Sequence, residues 1–133
     1  MLILLITQEP PLVQDAVATG NAIRTAQLEG ALSKAGHQLR QIWLSSASRK
    51  HENAFKSRDE LQASINKLQP DVILVAYWEL LELLPFELVQ PVVVDFVAPR
   101  PLELLFEHPE KVGTELQLLQ NNLSKCDSQV TGI

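Results

Sequence analysis

The sequence predicts an α/β protein, a Rossmann-like three-layer sandwich with a mainly parallel sheet of about five strands. Short apolar runs of strand length alternate with segments in which apolar residues recur at helical spacing. Such an alternation requires crossover connections, which are right-handed and place helices on both faces of the sheet. The length of 133 residues matches a single domain, residues 1–133, with one core.

The opening segment predicts one strand and the helix that crosses over from it. Leu2 to Thr7 form an apolar run, which is typical of a strand buried on both faces. A polar loop that contains prolines is expected from Gln8 to Asn21. A helix then continues to Gly36, which offers a C-terminal stop. The apolar positions of this helix are Ile23, Ala26, Ala31, Leu32 and Ala35.

The next region predicts a less buried strand, a loop and a second helix. Gln38 to Leu44 alternates polar and apolar side chains, which favours a strand near an edge of the sheet. Ser45 to Ser57 has the polar and basic composition of a loop. Ser57 and Glu60 resemble a capping box that opens the second helix. The buried stripe of this helix is Leu61, Ile65 and Leu68.

Two further strands follow. Pro70 and Asp71 end the second helix, and Val72 to Ala76 form the clearest buried strand in the chain. A short helical turn is expected from Glu79 to Leu84. Pro91 to Val94 predict a fourth strand, because proline is tolerated at the first position of a strand.

The last third predicts two helices and a closing strand. Pro101 suits the first turn of a helix over Leu102 to Phe106. An amphipathic helix follows, and Ser128 to Thr131 are a candidate fifth strand. The chain stops at Ile133 without the helix that normally follows, so we expect it to be part of a longer protein. The apolar positions of the long helix are Val112, Leu116, Leu119 and Leu123.

Composition and charge exclude several classes of protein. Hydrophobic residues make up 46% and charged residues 20%, which excludes wholesale disorder. No apolar run approaches the roughly 18–20 residues of a membrane span, and no signal peptide is evident, so a cytoplasmic location is expected. The single Cys126 excludes an internal disulfide.

The charge is unevenly divided between the two halves of the chain. Residues 1–67 hold 8 Lys/Arg and 6 Asp/Glu (+2), whereas residues 68–133 hold 3 and 10 (−7), which sum to −5. The acidic half argues against nucleic acid as a partner. Arg49, Lys50, Lys56 and Arg58 cluster; a solvated loop is favoured over peripheral contact with an anionic membrane.

Ligands of open α/β sheets bind beyond the carboxyl ends of the strands, so the candidate binding residues are sought there. Thr19, Gly20 and Asn21 stand at the start of the first helix, where free backbone N–H groups attract an anion or a sugar oxygen. The alternative is that Thr19 or Asn21 caps the helix while Gly20 adopts a positive φ. Arg24, one turn further along, either points towards this candidate binding place at the start of the helix or is an ordinary exposed arginine.

Three more positions follow the later strands. Tyr77 and Trp78, beside Glu79, predict a wall for a sugar ring, with packing in the core as an equal alternative. Asp95 is the candidate catalytic residue, because a carboxylate there accepts hydrogen bonds from hydroxyls or acts as an acid or base. Arg100 clamps a phosphate or pairs with a neighbouring glutamate, and the ion pair is favoured.

Several sharper motifs are absent from the sequence. It contains no GxGxxG, no GxxxxGK[ST] and no GxSxG, which removes the usual dinucleotide, Walker-type and hydrolase signatures. His37, His51 and His108 lie far apart in different predicted elements, which argues against a metal site.

Residues 20–24 and 27–39 together resemble the N-terminal domain of GT-B glycosyltransferases of family four, which carries a glycine loop and then a helix R-x-x-x-L-x-x-x-L-x-x-x-G-H-x-V. Segments 70–73, 91–95 and 123–127, with Pro99, are also similar to that domain. Many members have two adjacent glycines where this chain has Thr19 and Gly20, and the usual cleft histidine has no counterpart near Asp95. The positions in register are Arg24, Leu28, Leu32, Gly36, His37 and Leu39.

This resemblance implies a function and partners. It implies transfer of a sugar from a nucleotide-sugar donor to a sugar or lipid-linked acceptor, with retention and without a metal or other cofactor. The N-terminal half binds the acceptor, and a second Rossmann-like domain binds the donor, so the isolated chain is expected to be inactive. Gly20 would face the donor, and Asp95 would line the cleft.

Two non-catalytic functions are the alternatives. A flavodoxin-like receiver module needs an acidic pair after the first strand, an aspartate after the third and a lysine after the fifth. This chain has Gln8-Glu9, Tyr77-Trp78 and Thr131-Gly132 at those places, which disfavours a receiver. A protein-binding scaffold that uses the acidic region 71–110 stays open.

Overall fold

The fold is an all-parallel sheet with helices on both faces, in agreement with the predicted class. The computed structural model describes residues 1–14, 17–46, 51–95, 100–126 and 130–132, and only the backbone of residues 100–103, 125–126 and 130–132. The strands are β1 Leu2–Thr7, β2 Gln38–Leu44, β3 Ala54–Phe55, β4 Val72–Val75, β5 Val92–Val94 and β6 Val130–Gly132. The helices are α1 Gly20–Lys34, α2 Arg58–Leu68, α3 Arg100–Glu107 and α4 Val112–Cys126, with 3₁₀ segments Trp78–Leu83 and Pro109–Lys111.

The sheet order is β3-β2-β1-β4-β5-β6, with β1 in the interior between β2 and β4. This is the doubly wound order in which the chain runs outward in both directions from the centre. All the strand pairs are parallel, so the carboxyl ends of all strands meet at one edge. We call this the carboxyl edge.

Alternation along β1 divides the core into two layers. Ile3 and Leu5 face one layer, where Leu32 of α1 packs. Leu4 and Ile6 face the larger layer, which α2, the first 3₁₀ segment and α4 cover. This period of two explains why the strand is apolar throughout, since both of its faces are buried.

Both α1 and α2 begin and end with local capping signals. The Thr19 hydroxyl accepts a hydrogen bond from the backbone N–H of Ala22 at 3.1 Å, which is an N-cap. At the other end, Gly36 has φ +85°, and the hydrogen bonds of the Gly36 and His37 N–H groups form a Schellman motif. In α2, Ser57 accepts from the Glu60 N–H, as the predicted capping box requires, but the Glu60 carboxylate accepts from the N–H of Lys56 instead of Ser57.

The structure extends and corrects the predicted elements. β1 and β2 have their predicted bounds, whereas β3 lies inside the predicted loop 45–57 and makes a sixth strand. Phe55 of β3 is fully buried, so this short strand anchors the loop in the core. In α1, the predicted apolar positions Ile23, Ala31 and Ala35 are exposed, and Ala22 is buried instead.

The C-terminal part follows the predicted order. α4 begins at Val112, and β6 covers Val130–Gly132, whereas residues 127–129 lie outside the described part of the chain. Within the described ranges, no helix has the length and apolar character needed to cross a bilayer.

Candidate functional site at the carboxyl edge

An ion pair between α1 and β5 crosses the carboxyl edge. Nε and Nη2 of Arg24 donate to Oδ2 and Oδ1 of Asp95 at 2.9 and 2.8 Å. The Arg24 side chain is 47% exposed and that of Asp95 is 16% exposed, so the carboxylate is the more enclosed partner. The hydrogen bond with Asp95 raises the pKa of Arg24 above its already high ordinary value. The guanidinium therefore stays charged at every physiological pH.

A second contact ties the start of α1 to the end of β4. The Tyr77 hydroxyl donates to Oδ1 of Asn21 at 2.5 Å. A further hydrogen bond joins the same two regions. Gln8, which follows β1, donates through Nε2 to Oε2 of Glu79, two residues after Tyr77, at 3.4 Å. The turns that follow β1 and β4 are thus joined by polar side chains, as expected for residues at the carboxyl ends of neighbouring strands.

The start of α1 lies open to solvent. Thr19, besides capping the helix, donates its hydroxyl hydrogen to Oε2 of Glu9 at 2.5 Å. Gly20 has no positive φ, so the conformational explanation for this glycine is wrong. A Cβ added to Gly20 would meet no described atom within 4 Å, which leaves the backbone of the first turn accessible.

A polar network that the sequence analysis missed holds the loop after β1 in place. The Gln41 amide donates from Nε2 to Oγ1 of Thr7 at 3.0 Å and to the carbonyl oxygen of Glu9 at 3.2 Å. The Thr7 hydroxyl donates in turn to the same Glu9 carbonyl at 2.6 Å. Thr7 is 3% exposed, so this network is part of the core and fixes where Glu9 leaves the sheet.

Two predicted site residues, Trp78 and Arg100, are not among the described side chains at the carboxyl edge. Trp78 is 1% exposed and belongs to the core, because the 3₁₀ segment that starts there turns its ring inward; only Tyr77 of this pair faces the edge. The side chain of Arg100, with its predicted pairing to Glu103, lies outside the described residues. The other predicted residues, namely Thr19, Gly20, Asn21, Arg24, Tyr77 and Asp95, come together at the carboxyl edge.

Among the described side chains at this edge, negative charges outnumber positive ones. Glu9, Glu79 and Asp95 contribute carboxylates, and the guanidinium of Arg24 is bound to that of Asp95. Carboxylates only accept hydrogen bonds when ionised, so the edge suits ligands that donate through hydroxyl groups. No group of three or more described His, Cys, Asp or Glu side chains is arranged to hold a metal ion.

Comparison of the chain with protein-family models, curated proteins and solved structures finds no match.

Proposed function

We propose that this chain is the acceptor-side domain of a nucleotide-sugar-dependent glycosyltransferase of the GT-B type. A second Rossmann-like domain would supply most of the donor site and close over the carboxyl edge. The proposal rests on the resemblance of residues 20–24 and 27–39 to that domain and on the doubly wound sheet that carries them. One structural observation supports it most: a cluster of hydrogen-bond acceptors that surrounds the open start of α1.

The charge of the cluster favours the acceptor side of the reaction over the donor side. Among the described side chains, a diphosphate would meet three carboxylates, on Glu9, Glu79 and Asp95, and one guanidinium already bound to a carboxylate. Like charges at such short range cost free energy, so the phosphates need cations from elsewhere. Sugar hydroxyls, in contrast, donate hydrogen bonds to carboxylates, and such charge-assisted bonds are strong.

Each residue has a role in this proposal. Asp95 accepts a hydrogen bond from the acceptor sugar, and Arg24 fixes the orientation of its carboxylate through the bidentate contact. Tyr77 and Asn21 form an adjoining polar wall. Gly20 leaves the positive end of the α1 dipole open to the leaving diphosphate, whose main cationic partners lie on the second domain.

The test is a titration of the ¹⁵N-labelled chain followed by NMR. Monosaccharides and nucleotide-sugars at millimolar concentration should shift the amide signals of Gly20, Asn21 and Asp95. Asp95→Asn should abolish the shifts caused by neutral sugars, because the carboxylate is lost while the shape of the side chain is kept. The control is Asp71→Asn, which alters an exposed aspartate whose carboxylate accepts a hydrogen bond from the Leu2 N–H, near the amino ends of the strands.

A second pair of variants tests the open start of α1. Gly20→Val places a branched side chain over the first turn and should abolish the shifts caused by nucleotide-sugars. Gly30→Val adds the same side chain to α1 at another position where no described atom lies within 4 Å. Equal responses of the two variants, or no shift near α1 with any sugar, would count against the proposed function.

A further inference from the structure

A cleft of about 600 Å³ lies beside β2, next to the carboxyl edge. Its volume is in the range of small-molecule sites, which are mostly apolar with a few placed polar groups. Pro10 and Pro11 of the loop after β1 form part of its wall. Because Glu9 contributes its carboxylate to the edge and Pro10 is the next residue, the cleft and the edge adjoin.

Two aromatic rings line this cleft. The Trp43 and His51 rings have centroids 4.7 Å apart and are inclined at 47°. Trp43 is half-buried and His51 is exposed, in contrast to Trp78, the other tryptophan, which is 1% exposed. Flat aromatic faces of this kind pack against the C–H face of a sugar ring, and the partly exposed indole keeps a polar end free for solvent or ligand.

One residue that lines the cleft has a buried acceptor without a partner among the described residues. Gln41, which lines it, uses its amide nitrogen to hold Thr7 and Glu9. Its Oε1 atom is buried and has no hydrogen-bond partner among the described residues. A buried amide oxygen left unpaired costs free energy, and a ligand hydroxyl would remove that cost once a rearrangement of Gln41 on binding exposed the oxygen to the cleft.

The charges of the described aspartate, glutamate, lysine and arginine side chains that line the cleft balance. Arg40 and Glu29 contribute one positive and one negative charge, and Asn53 adds a neutral amide. The described lining therefore offers an anionic ligand no surplus of positive charge, and an aliphatic chain would leave Oε1 of Gln41 unpaired. A neutral ring with hydroxyl groups satisfies both the aromatic faces and the buried oxygen.

We infer that this cleft binds a neutral sugar ring, and that the acceptor is a neutral oligosaccharide with one ring at the carboxyl edge and the next against Trp43. The inference that the cleft binds a sugar is argued from the residues that line it. The inference that this sugar belongs to the acceptor rests on the proposed function. The inference names the class of acceptor: a neutral glycan, and not a lipid phosphate or a phosphosugar.

Tryptophan fluorescence tests this inference directly. In the Trp78→Phe variant, Trp43 is the only tryptophan and is excited selectively. Neutral trisaccharides of glucose, mannose, galactose or N-acetylglucosamine are added to it. At least one series should shift the Trp43 emission in a saturable way. In the otherwise wild-type chain, the Trp43 indole N–H signal in NMR spectra gives the same readout if Trp78→Phe fails to fold.

Matched variants connect the response to the cleft. The His51→Ala variant should bind the trisaccharide about tenfold more weakly, because one of the two aromatic faces is lost. The change His108→Ala removes an exposed histidine that is absent from the lining of the cleft and should leave binding unchanged. The Trp43→Phe variant should bind the trisaccharide more tightly than the Trp43→Ala variant. In these two variants, binding is measured by the NMR shift of the Gln41 backbone amide.

The possible outcomes separate this inference from the proposed function. The inference would be overturned if Trp43 did not respond to any neutral trisaccharide, or if it responded equally to a long-chain alcohol. Shifts at Gly20 and Asp95 would still support the proposed function in that case. A Trp43 response with no shift at the edge would retain sugar binding in the cleft and overturn its assignment to an acceptor. Responses at both places, with the cleft response weakened only by His51→Ala and the edge response lost only in Asp95→Asn, would support both.

Discussion

Arg24, in the second turn of α1, donates hydrogen bonds to both carboxylate oxygens of Asp95, which lies 71 positions later, immediately after β5. The pair spans the two strands at the centre of the sheet, β1 and β4, because β5 is the neighbour of β4 on the far side. Since Arg24 is about half exposed, water competes for its guanidinium. We regard the contact as an orienting device for Asp95 and expect it to add little to stability.

A double-mutant cycle on this pair measures its contribution to stability. The single variants Arg24→Ala and Asp95→Ala, with the double variant, should give a coupling energy of about 0.2–1 kcal/mol, the range of exposed ion pairs. Urea unfolding at low and at high salt provides the measurement, and the coupling should fall as salt rises. A coupling above about 2 kcal/mol, or one insensitive to salt, would show a structural clamp instead.

The N-cap of α1 offers a second test. Thr19→Ala removes both the cap to Ala22 and the hydrogen bond to Glu9, and should lower the free energy of unfolding by about 1 kcal/mol. Thr19→Ser keeps the hydroxyl and should restore most of that loss. Thermal unfolding monitors the change, which corresponds to a decrease of about 4 °C in Tm. Equal stabilities of the alanine and serine variants would contradict the capping role.

Two glycines of the first crossover should respond to alanine with opposite signs. Gly36→Ala forces a left-handed φ of +85° on a residue with a side chain and should cost about 1–2 kcal/mol. Gly30→Ala, in the middle of α1, should instead raise the free energy of unfolding by up to about 1 kcal/mol. Neither added methyl group meets a described atom within 4 Å, so packing does not obscure the comparison. Chemical denaturation of both variants checks the two signs, and a loss in both would contradict this prediction.

The buried amide of Asn122 in α4 provides the fourth prediction. Its side chain is buried, with the residue 1% exposed, and neither Nδ2 nor Oδ1 has a hydrogen-bond partner among the described residues. Asn122→Leu, which keeps the branched shape of the side chain, removes the desolvation cost of the unpaired amide and should stabilise the chain by about 1–2 kcal/mol. Asn121→Leu, at the exposed neighbouring position, is the control and should change stability by less than about 0.5 kcal/mol. A destabilised Asn122→Leu variant, measured by urea unfolding, would show that the amide has a partner that matters.

Those parts of the fold that depend on local pattern could be predicted from the sequence. β1 and β2 have their predicted bounds because buried runs and alternation are properties of neighbouring residues. β3 could not be predicted, since two residues carry no periodicity and the strand exists only because Phe55 enters a core built by other elements. The exposure of Ile23 has the same origin: helical spacing indicates an apolar face but does not say how far the sheet beneath it extends.

The candidate site was predictable in position and less so in detail. The rule that ligands bind at the carboxyl ends of strands located Asn21, Arg24, Tyr77 and Asp95, which the fold brings together. It could not separate Tyr77 from Trp78, because adjacent residues of one turn point in different directions. The role of Gln41 and the pairing of Trp43 with His51 arise from tertiary contacts, so no local signal in the sequence indicates them.

The interior place of β1 has a consequence for synthesis of the chain. β1 is made before both of its neighbours, and β4, the later of the two, is complete only at Val75. Until then one side of an apolar strand lacks its backbone partners, which is the kind of segment that aggregates or recruits chaperones. We therefore expect the nascent polypeptide to be most prone to aggregation before its middle third has emerged, and least so once β4 pairs with β1.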